Sequence, residues 1–397
     1  MRQEALVNPV LLTWARESIN MGIEEAAEKL HVQPERLRAW EAGDRRPTVR
    51  QAREMARVYR RPLATFYLPK PPAELGFSVP HDFRRLPHDE PRELSPELVS
   101  EIRRIRYLRD AAVELADETP DQPKLFVGQM RLDEPVEEVG RRVVALLGLP
   151  LGARRDWRTE YDALNGWRDA IEQQGVLVMH LNGVEVREVR GIAIAESVFP
   201  LIAVNGKDSP NGRVFTLLHE FLHLMVGATG LSNLRISRRP RTQDQRLERF
   251  CNYVAGEALV PRQDLLEHPS VRAVKGSVDW SDDVIELLAR QFGVSREVIA
   301  RRLLILGRTS EEFYRQKRQQ YGRERARRGE APGGPVPMAR RIIRAIGQPF
   351  ARLAVDAYYR EAISSSQLAE LLGARLKHLP AVAEVLAGHS VLTGGDR

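Results

Sequence analysis

The sequence predicts an α+β protein that is mostly helical, and two observations carry this prediction. Apolar residues recur at helical spacing through the first 70 residues and again over residues 281–320. Three short runs rich in β-branched residues, GVLVMHL, RGIAIAE and VFPLIAVN, are bounded by Gly, Asn and Pro and predict a small sheet. At 397 residues, 43% of them hydrophobic, the chain is long enough for two to four domains with separate cores.

Composition excludes several classes of protein. The mean hydropathy is −0.38, and no uncharged apolar run reaches the roughly 18 residues that a membrane span needs. The first ten residues, MRQEALVNPV, contain two charges and no apolar stretch, so we expect no secretory signal there. A single cysteine excludes a disulfide framework and a Cys-based zinc finger. We therefore expect a cytoplasmic protein that does not enter a membrane.

The excess of basic residues is clustered. The chain has 61 Lys and Arg against 54 Asp and Glu, a formal net charge of +7. Three runs, RRPTVRQAR, RISRRPR and RQKRQQYGRERARR, hold much of the positive charge. Such runs indicate either contact with nucleic acid or merely a solvated surface, and the sequence leaves both interpretations open.

Punctuation by Pro and Gly, together with shifts in composition, divides the chain into six predicted segments. These are a compact helical domain (1–70), a linker with a helical segment (71–135), a mixed domain that holds the sheet (136–262), a helical domain (263–321), an Arg/Pro/Gly linker (322–337) and a C-terminal helical segment (338–397).

Residues 23–47 have the spacing of two short helices joined by a tight turn. Pro34 opens the second helix at its first position, and the core expected between the two helices consists of Ala27, Val32, Leu37 and Trp40. This stretch resembles the Cro/C1-type helix-turn-helix family, in which WExG…P closes the second helix as WEAGDRRP does here. The resemblance covers residues 9–66 and implies a domain of five helices.

In that family the second helix enters the major groove of DNA. The matching positions imply DNA contacts by Gln33, Glu35, Arg36 and Arg38, and phosphate contacts by Arg45 and Arg46. Many family members have a phosphate-binding Gln near the start of the first helix, where this chain has Glu24 and Glu25. Two carboxylates there would repel the DNA backbone. Residues 9–66 are therefore expected either to bind DNA or to dock a protein partner, a second copy of the chain included.

The sequence HEFLH forms a second motif. His219 and His223 are four residues apart, so both imidazoles lie on one face of a helix with Glu220 beside them. The surrounding run, VFTLLHEFLHLMV, is apolar nearly all round and predicts a buried helix. Because a buried carboxylate beside two histidines is costly without a cation, the motif predicts a metal site holding one zinc ion per chain.

Zinc needs a third protein ligand, and a carboxylate on a following helix is a common solution. Glu248 begins the apolar run ERFCNYVAGEALVP and is the first candidate. Glu257, nine residues further on, is the competitor. Asn252, one turn after Glu248, is expected to orient Glu248 or Glu220 from behind the ligands.

The runs PLIAVNGKDSPNGRVFTLLHEFLHLMVG and LERFCNYVAGEALVP resemble the ImmA/IrrE family of metallopeptidases. This resemblance extends from about residue 157 to residue 261, and longer members of the family also carry an N-terminal helix-turn-helix domain. It implies a zincin-like domain with a small sheet, in which His219, His223 and Glu248 hold zinc. Glu220 would be the general base of peptide hydrolysis.

The resemblance implies a cytoplasmic zinc endopeptidase that acts in transcriptional regulation. Its expected substrate is a helix-turn-helix repressor in a stress-response or mobile-element circuit. The alternative is an antitoxin-like, sequence-specific DNA-binding regulator whose zinc site is structural or weakly active. The intact Glu220 favours the enzyme, because a purely structural zinc site would not need it.

Two smaller expectations concern neighbouring segments. RGIAIAE is expected to be an edge strand that receives an extended substrate by strand addition. The run DDVIELLARQFGVSREVIARRLLILG has a helix, a Gly-Val-Ser turn and a second helix. It is expected either to be a second helix-turn-helix or to be a helical hairpin that packs against the catalytic domain.

Overall fold

A computed structural model describes residues 4–72, 81–82, 94–117, 123–128, 130–154, 156–232, 242–328 and 336–393. The chain divides into two compact units. The first comprises residues 1–79 and 88–107, and the second comprises residues 80–87 and 108–397. Within the described ranges, no helix is both long enough and apolar enough to span a membrane. The basic run RISRRPR lies outside the described residues.

The first unit is helical, as the sequence predicts. Its elements are α1 (Pro9–Glu17), α2 (Ile23–Lys29), α3 (Pro34–Ala42), α4 (Val49–Val58), a 3-10 helix (Leu63–Tyr67) and the first part of α5 (Pro96–Asp117). The fifth helix expected within the first 70 residues is thus a single short 3-10 segment rather than an α-helix.

The WEAG run explains how α3 is held in this unit. Trp40 is 2% exposed and lies in the core, as predicted. Glu41 accepts two hydrogen bonds of 2.8 Å from the guanidinium of Arg16, so the pair is bidentate. Gly43 ends the helix at φ +82°, a conformation that side chains other than glycine rarely adopt.

The second unit holds the other helices and the sheet. After α5, its α-helices are α6 (Val136–Leu146), α7 (Glu160–Glu172), α8 (Pro210–Val226), α9 (Gln243–Leu259), α10 (Arg262–Glu267), α11 (Pro269–Arg272), α12 (Asp282–Phe292), α13 (Arg296–Ile305), α14 (Glu311–Arg328), α15 (Met338–Ile346), α16 (Gln348–Tyr359), α17 (Ser365–Leu371) and α18 (Leu379–Thr393).

The described residues form one sheet of five strands. The strands are β1 (His81–Asp82), β2 (Leu177–Leu181), β3 (Gly191–Ile194), β4 (Leu201–Asn205) and β5 (Gly230–Ser232), in the order β1-β5-β3-β4-β2. The three runs predicted as strands are confirmed as β2, β3 and β4. The pair β2–β4 is parallel, as is β1–β5.

The prediction that RGIAIAE forms an edge strand is wrong. This run contains β3, which pairs antiparallel with β4 on one side and with β5 on the other. The chain returns to the sheet directly after α8 and adds β5 to the side of β3 that the prediction left free. Because both edges of β3 are paired, β3 has no free edge to offer to a substrate.

A single hydrophobic core joins the elements of this unit. It includes Val139 of α6, Trp167 of α7, Phe221 of α8 and Leu303 of α13. The core therefore continues across residue 262, where the sequence analysis places a domain boundary, and the exact domain limits stay a prediction.

The hairpin of α12 and α13 packs into the same core instead of presenting a free helix. Arg302 is 3% exposed, donates to the carbonyl of Val260 and forms an ion pair with Glu257 of α9. Arg296 pairs with Glu324 of α14. These contacts favour the packing interpretation of this segment over a second helix-turn-helix.

Candidate metal centre

Helix α8 carries the HEFLH motif through the interior of the second unit. Its first turn is capped by Ser209, whose hydroxyl accepts a hydrogen bond of 3.1 Å from the backbone nitrogen of Gly212. It ends at Val226 and is followed by Gly227, which has a φ of +77°. All residues from 213 to 225 are buried, so the expected buried apolar helix is confirmed. The buried stretch includes His219, Glu220 and His223.

Helix α9 brings Glu248 to the same place. The helix begins at Gln243, and Thr242 caps it by accepting a hydrogen bond of 3.2 Å from the backbone nitrogen of Gln245. Glu248 therefore lies in the second turn, and its expected position at the start of the helix is wrong. The polar residues TQDQR supply the cap and the first turn. Because Glu248 follows this polar first turn, it lies in the interior, where it is 5% exposed.

The side chains of His219, His223 and Glu248 converge. The Nε2 atoms of the two histidines are 3.0 Å apart. One carboxylate oxygen of Glu248 is 3.0 Å from Nε2 of His223, and the other is 3.4 Å from Nε2 of His219. Tetrahedral zinc with bonds of about 2.0–2.1 Å has its ligand atoms about 3.3 Å from one another. The spacing and the donor types therefore fit zinc, and these three residues form a candidate metal site.

The electrostatics of the cluster also suit a cation. Burial alone would raise the pKa of Glu248, but charge attraction and hydrogen bonding from the two histidines outweigh it and lower the pKa to about 2. Burial lowers the pKa of His223, although Glu248 partly opposes this shift. An ionised carboxylate and a neutral imidazole are the forms in which these side chains bind metals.

Glu220 is fully buried next to this cluster. The charge of Glu220 acts on the buried thiol of Cys251, whose pKa is raised. Burial is the largest cause, and the charges of Glu248 and Glu220 add to it. Both carboxylates therefore lie within electrostatic range of one thiol. The thiol itself stays protonated, which agrees with a packing role for Cys251.

One residue at this site is not predicted from the sequence. Gly191 of β3 faces Glu220 so closely that a Cβ atom added to it would lie 2.4 Å from Oε1 of Glu220 and 2.6 Å from Cγ2 of Thr216. A glycine inside a strand is a known sign of close approach by another group. The glycine in RGIAIAE is such a sign, but the sequence does not show which group approaches it.

Asn252 and Glu257 lie on α9 with different partners from those expected. The side-chain amide of Asn252 donates a hydrogen bond of 2.8 Å to the backbone carbonyl of Glu248, so it contacts the backbone and not a carboxylate. Glu257 accepts from the backbone nitrogen of Arg262 at 2.9 Å and is paired with Arg302. Glu257, the competing third ligand, is thus engaged away from the two histidines.

The residues expected to face DNA are all exposed on the first unit. They are Gln33, Glu35, Arg36, Arg38, Arg45 and Arg46. The two carboxylates expected to repel DNA have basic partners. Glu24 pairs with Arg38 at 2.5 Å, and Glu25 pairs with Lys29 at 2.8 Å. These pairs partly offset the negative charge of Glu24 and Glu25, but the pair with Glu24 also occupies Arg38, one of the expected DNA contacts.

Two family models match the chain, one in each unit. Residues 12–66 match the family model described as helix-turn-helix, and this range contains α3. Residues 171–304 match the peptidase M78 family model described as the IrrE N-terminal-like domain, and this range contains His219, Glu220, His223 and Glu248. No match is found among curated proteins. The chain thus carries a Cro/C1-type helix-turn-helix domain over residues 12–66 and an IrrE N-terminal-like peptidase M78 domain over residues 171–304.

Proposed function

We propose that the protein is a zinc-dependent endopeptidase that regulates transcription by cleaving a protein partner. The observation that carries this proposal is the convergence of His219, His223 and Glu248 with Glu220 buried beside them. Two imidazoles and one carboxylate leave one position of a tetrahedral ion for substrate or water, as catalytic zinc sites require.

In the proposed hydrolysis of a peptide bond, the residues of the site have separate roles. His219, His223 and Glu248 would hold one zinc ion, which when bound polarises a scissile carbonyl and makes an attacking water molecule more acidic. Glu220 would accept a proton from the attacking water molecule and pass it to the leaving amine nitrogen. Asn252 fixes the turn of α9 from which Glu248 projects, through its hydrogen bond to the Glu248 backbone.

The proposed substrate is a helix-turn-helix repressor of a stress-response or mobile-element circuit. Residues 9–66 would direct the peptidase to its target, by binding operator DNA through Arg36 and Arg38 or by pairing with a second helix-turn-helix domain, in a homodimer or with the repressor. A cytoplasmic location, predicted from the single cysteine, belongs to the same proposal.

A Glu220→Gln variant tests the proposal. We expect the zinc-loaded full-length chain to cleave a purified helix-turn-helix repressor, or casein as a general substrate. The variant should lose at least about 100-fold in rate, because general acid–base catalysis contributes that much or more. Zinc content and melting temperature are the controls and should match the wild type. Equal cleavage rates would contradict the role given to Glu220.

The second candidate function is a DNA-binding regulator with a structural zinc site. The exposed side chains of Arg36 in α3 and of Arg45 and Arg46 in the loop after it favour this function. A reporter gene under control of the protein separates the two functions. If repression and its release are the same with Glu220→Gln as with the wild type, the regulator is the correct function and the peptidase is not.

A further inference from the structure

We propose that Gly191 is a positioning residue for the general base: its missing side chain leaves the space in which the carboxylate of Glu220 sits. This inference rests on the proposed peptidase function. It assigns a role in the site to a residue of the sheet, on an element that contributes no ligand.

The contact between β3 and Glu220 is closer than any side chain at position 191 would allow. An added Cβ would lie 2.4 Å from Oε1 and 2.7 Å from Cγ of Glu220. Real Cβ contacts essentially never fall under 3.0 Å, so one of the two groups would have to move. Because Cγ as well as Oε1 is too close, the whole outer part of the Glu220 side chain would shift.

The backbone of Gly191 does not itself require glycine. Gly191 is absent from the residues with positive φ, and its pairing with Val204 and Ser232 places it in a regular ladder. Other residues readily adopt such a conformation, and strands favour β-branched ones. The space taken by Glu220 and Thr216 is therefore the physical reason for a glycine here.

Close packing between α8 and the sheet is the competing explanation. Ala193, two residues further on and so on the same face of β3, is also small, and it is fully buried. An added Cβ at residue 191 would also lie 2.6 Å from Cγ2 of Thr216. The hydroxyl of Thr216 donates a hydrogen bond of 3.0 Å to the carbonyl of Gly212, so this contact belongs to the packing of α8. A test must separate the Thr216 contact from the Glu220 contact.

Two variants separate them. Gly191→Ala introduces both contacts. Gly191→Ala combined with Thr216→Ser removes Cγ2, keeps the hydroxyl that bonds Gly212, and leaves the contact with Glu220 in place. Gly152→Ala is the matched control, because a Cβ at Gly152 meets nothing within 4 Å.

The first readout is the visible absorption spectrum of the full-length chain loaded with Co²⁺ in place of zinc. The visible absorption bands of bound Co²⁺ depend on its ligands and on the groups around them. We expect Gly191→Ala and the double variant to bind one Co²⁺ per chain and to show the altered spectrum of Glu220→Gln. Gly152→Ala should have the wild-type spectrum. Casein hydrolysis should fall about 100-fold in both Gly191 variants, the effect of moving a catalytic group by about 1 Å.

The spectra, hydrolysis rates and Co²⁺ content together show whether the role of Gly191 or the proposed peptidase function has failed. If the double variant regains wild-type spectrum and hydrolysis, Gly191 serves packing with Thr216 and the inference is overturned. A wild-type spectrum in Gly191→Ala also overturns it. If the wild type itself binds no Co²⁺, the proposed function fails first. If Gly191→Ala does not fold, the double variant alone decides.

Discussion

At the level of single residues, α9 carries two buried glutamates whose chemical roles differ because their neighbouring side chains differ. Glu248 faces two histidines, with carboxylate oxygens 3.0 and 3.4 Å from their Nε2 atoms. Glu257 faces Arg302 and a backbone nitrogen. Both are acids in the same apolar helix, so their chemistry is set by what the neighbouring helices present to them.

We expect Glu257→Gln to destabilise the second unit by about 3–5 kcal/mol, because it leaves the charge of Arg302 buried without its partner. Both side chains are almost fully buried, which makes solvent screening weak. Urea denaturation followed by tryptophan fluorescence measures the loss. Glu267→Gln, a change at an exposed residue, is the control. A loss below about 1 kcal/mol would show that the pair contributes little.

The sequence predicted these residues unevenly, and the reasons are physical. The i, i+4 spacing of His219 and His223 fixes their common face on any helix, so no tertiary information is needed. The choice between Glu248 and Glu257 depends on where Arg302 lies, 54 and 45 residues away along the chain. The contact of Gly191 with Glu220 depends on how closely β3 approaches α8, which no local pattern encodes.

At the level of helices and strands, the sequence predicts the long apolar helices and the β-branched strands. It does not predict which strands pair with β3 or where α9 begins. Strands β2, β3 and β4 follow from their composition. The interior place of β3 depends on β5, a segment of three residues that follows α8 and carries too few residues to give a pattern. The start of α9 was missed because the polar residues of its first turn have no apolar periodicity.

The C-terminal helices are attached to the core of the second unit by a buried polar network. Arg168 of α7 donates to Glu172 at 2.9 Å, to the carbonyl of Val178 in β2 at 2.6 Å and to the carbonyl of Arg344 in α15 at 2.8 Å. One guanidinium thus joins three elements. Burial raises the pKa of Glu172 to about 7, although Arg168 opposes the shift.

This network predicts a pH dependence of stability. Because the folded-state pKa of Glu172 is raised above its ordinary value of 4.5, its stabilising contribution is complete below about pH 4.5 and is lost as the pH rises through about 7. Glu172→Gln stays uncharged at every pH. Its melting temperature relative to that of the wild type should therefore rise by about 5 °C between pH 5 and pH 8. Thermal melts across this range provide the measurement, and a constant difference would contradict the raised pKa.

At the scale of the whole molecule, the chain combines two kinds of chemistry on two compact units. The first unit exposes the basic residues of α3 and the loop after it, including Arg36 and Arg45, where nucleic acid or a protein partner can reach them. The second unit buries its candidate chemistry among α8, α9 and β3. Exposure suits recognition of large partners, and burial suits control of water and charge during hydrolysis.

We expect His219, His223 and Glu248 to hold one zinc ion. The zinc content per chain of the purified wild type, Glu248→Gln and Glu257→Gln tests this expectation. About one zinc should be found in the wild type and in Glu257→Gln, and Glu248→Gln should lose most of it. A wild type that binds no zinc when it is offered, or a Glu248→Gln variant that keeps it, would show that these three residues do not form the site.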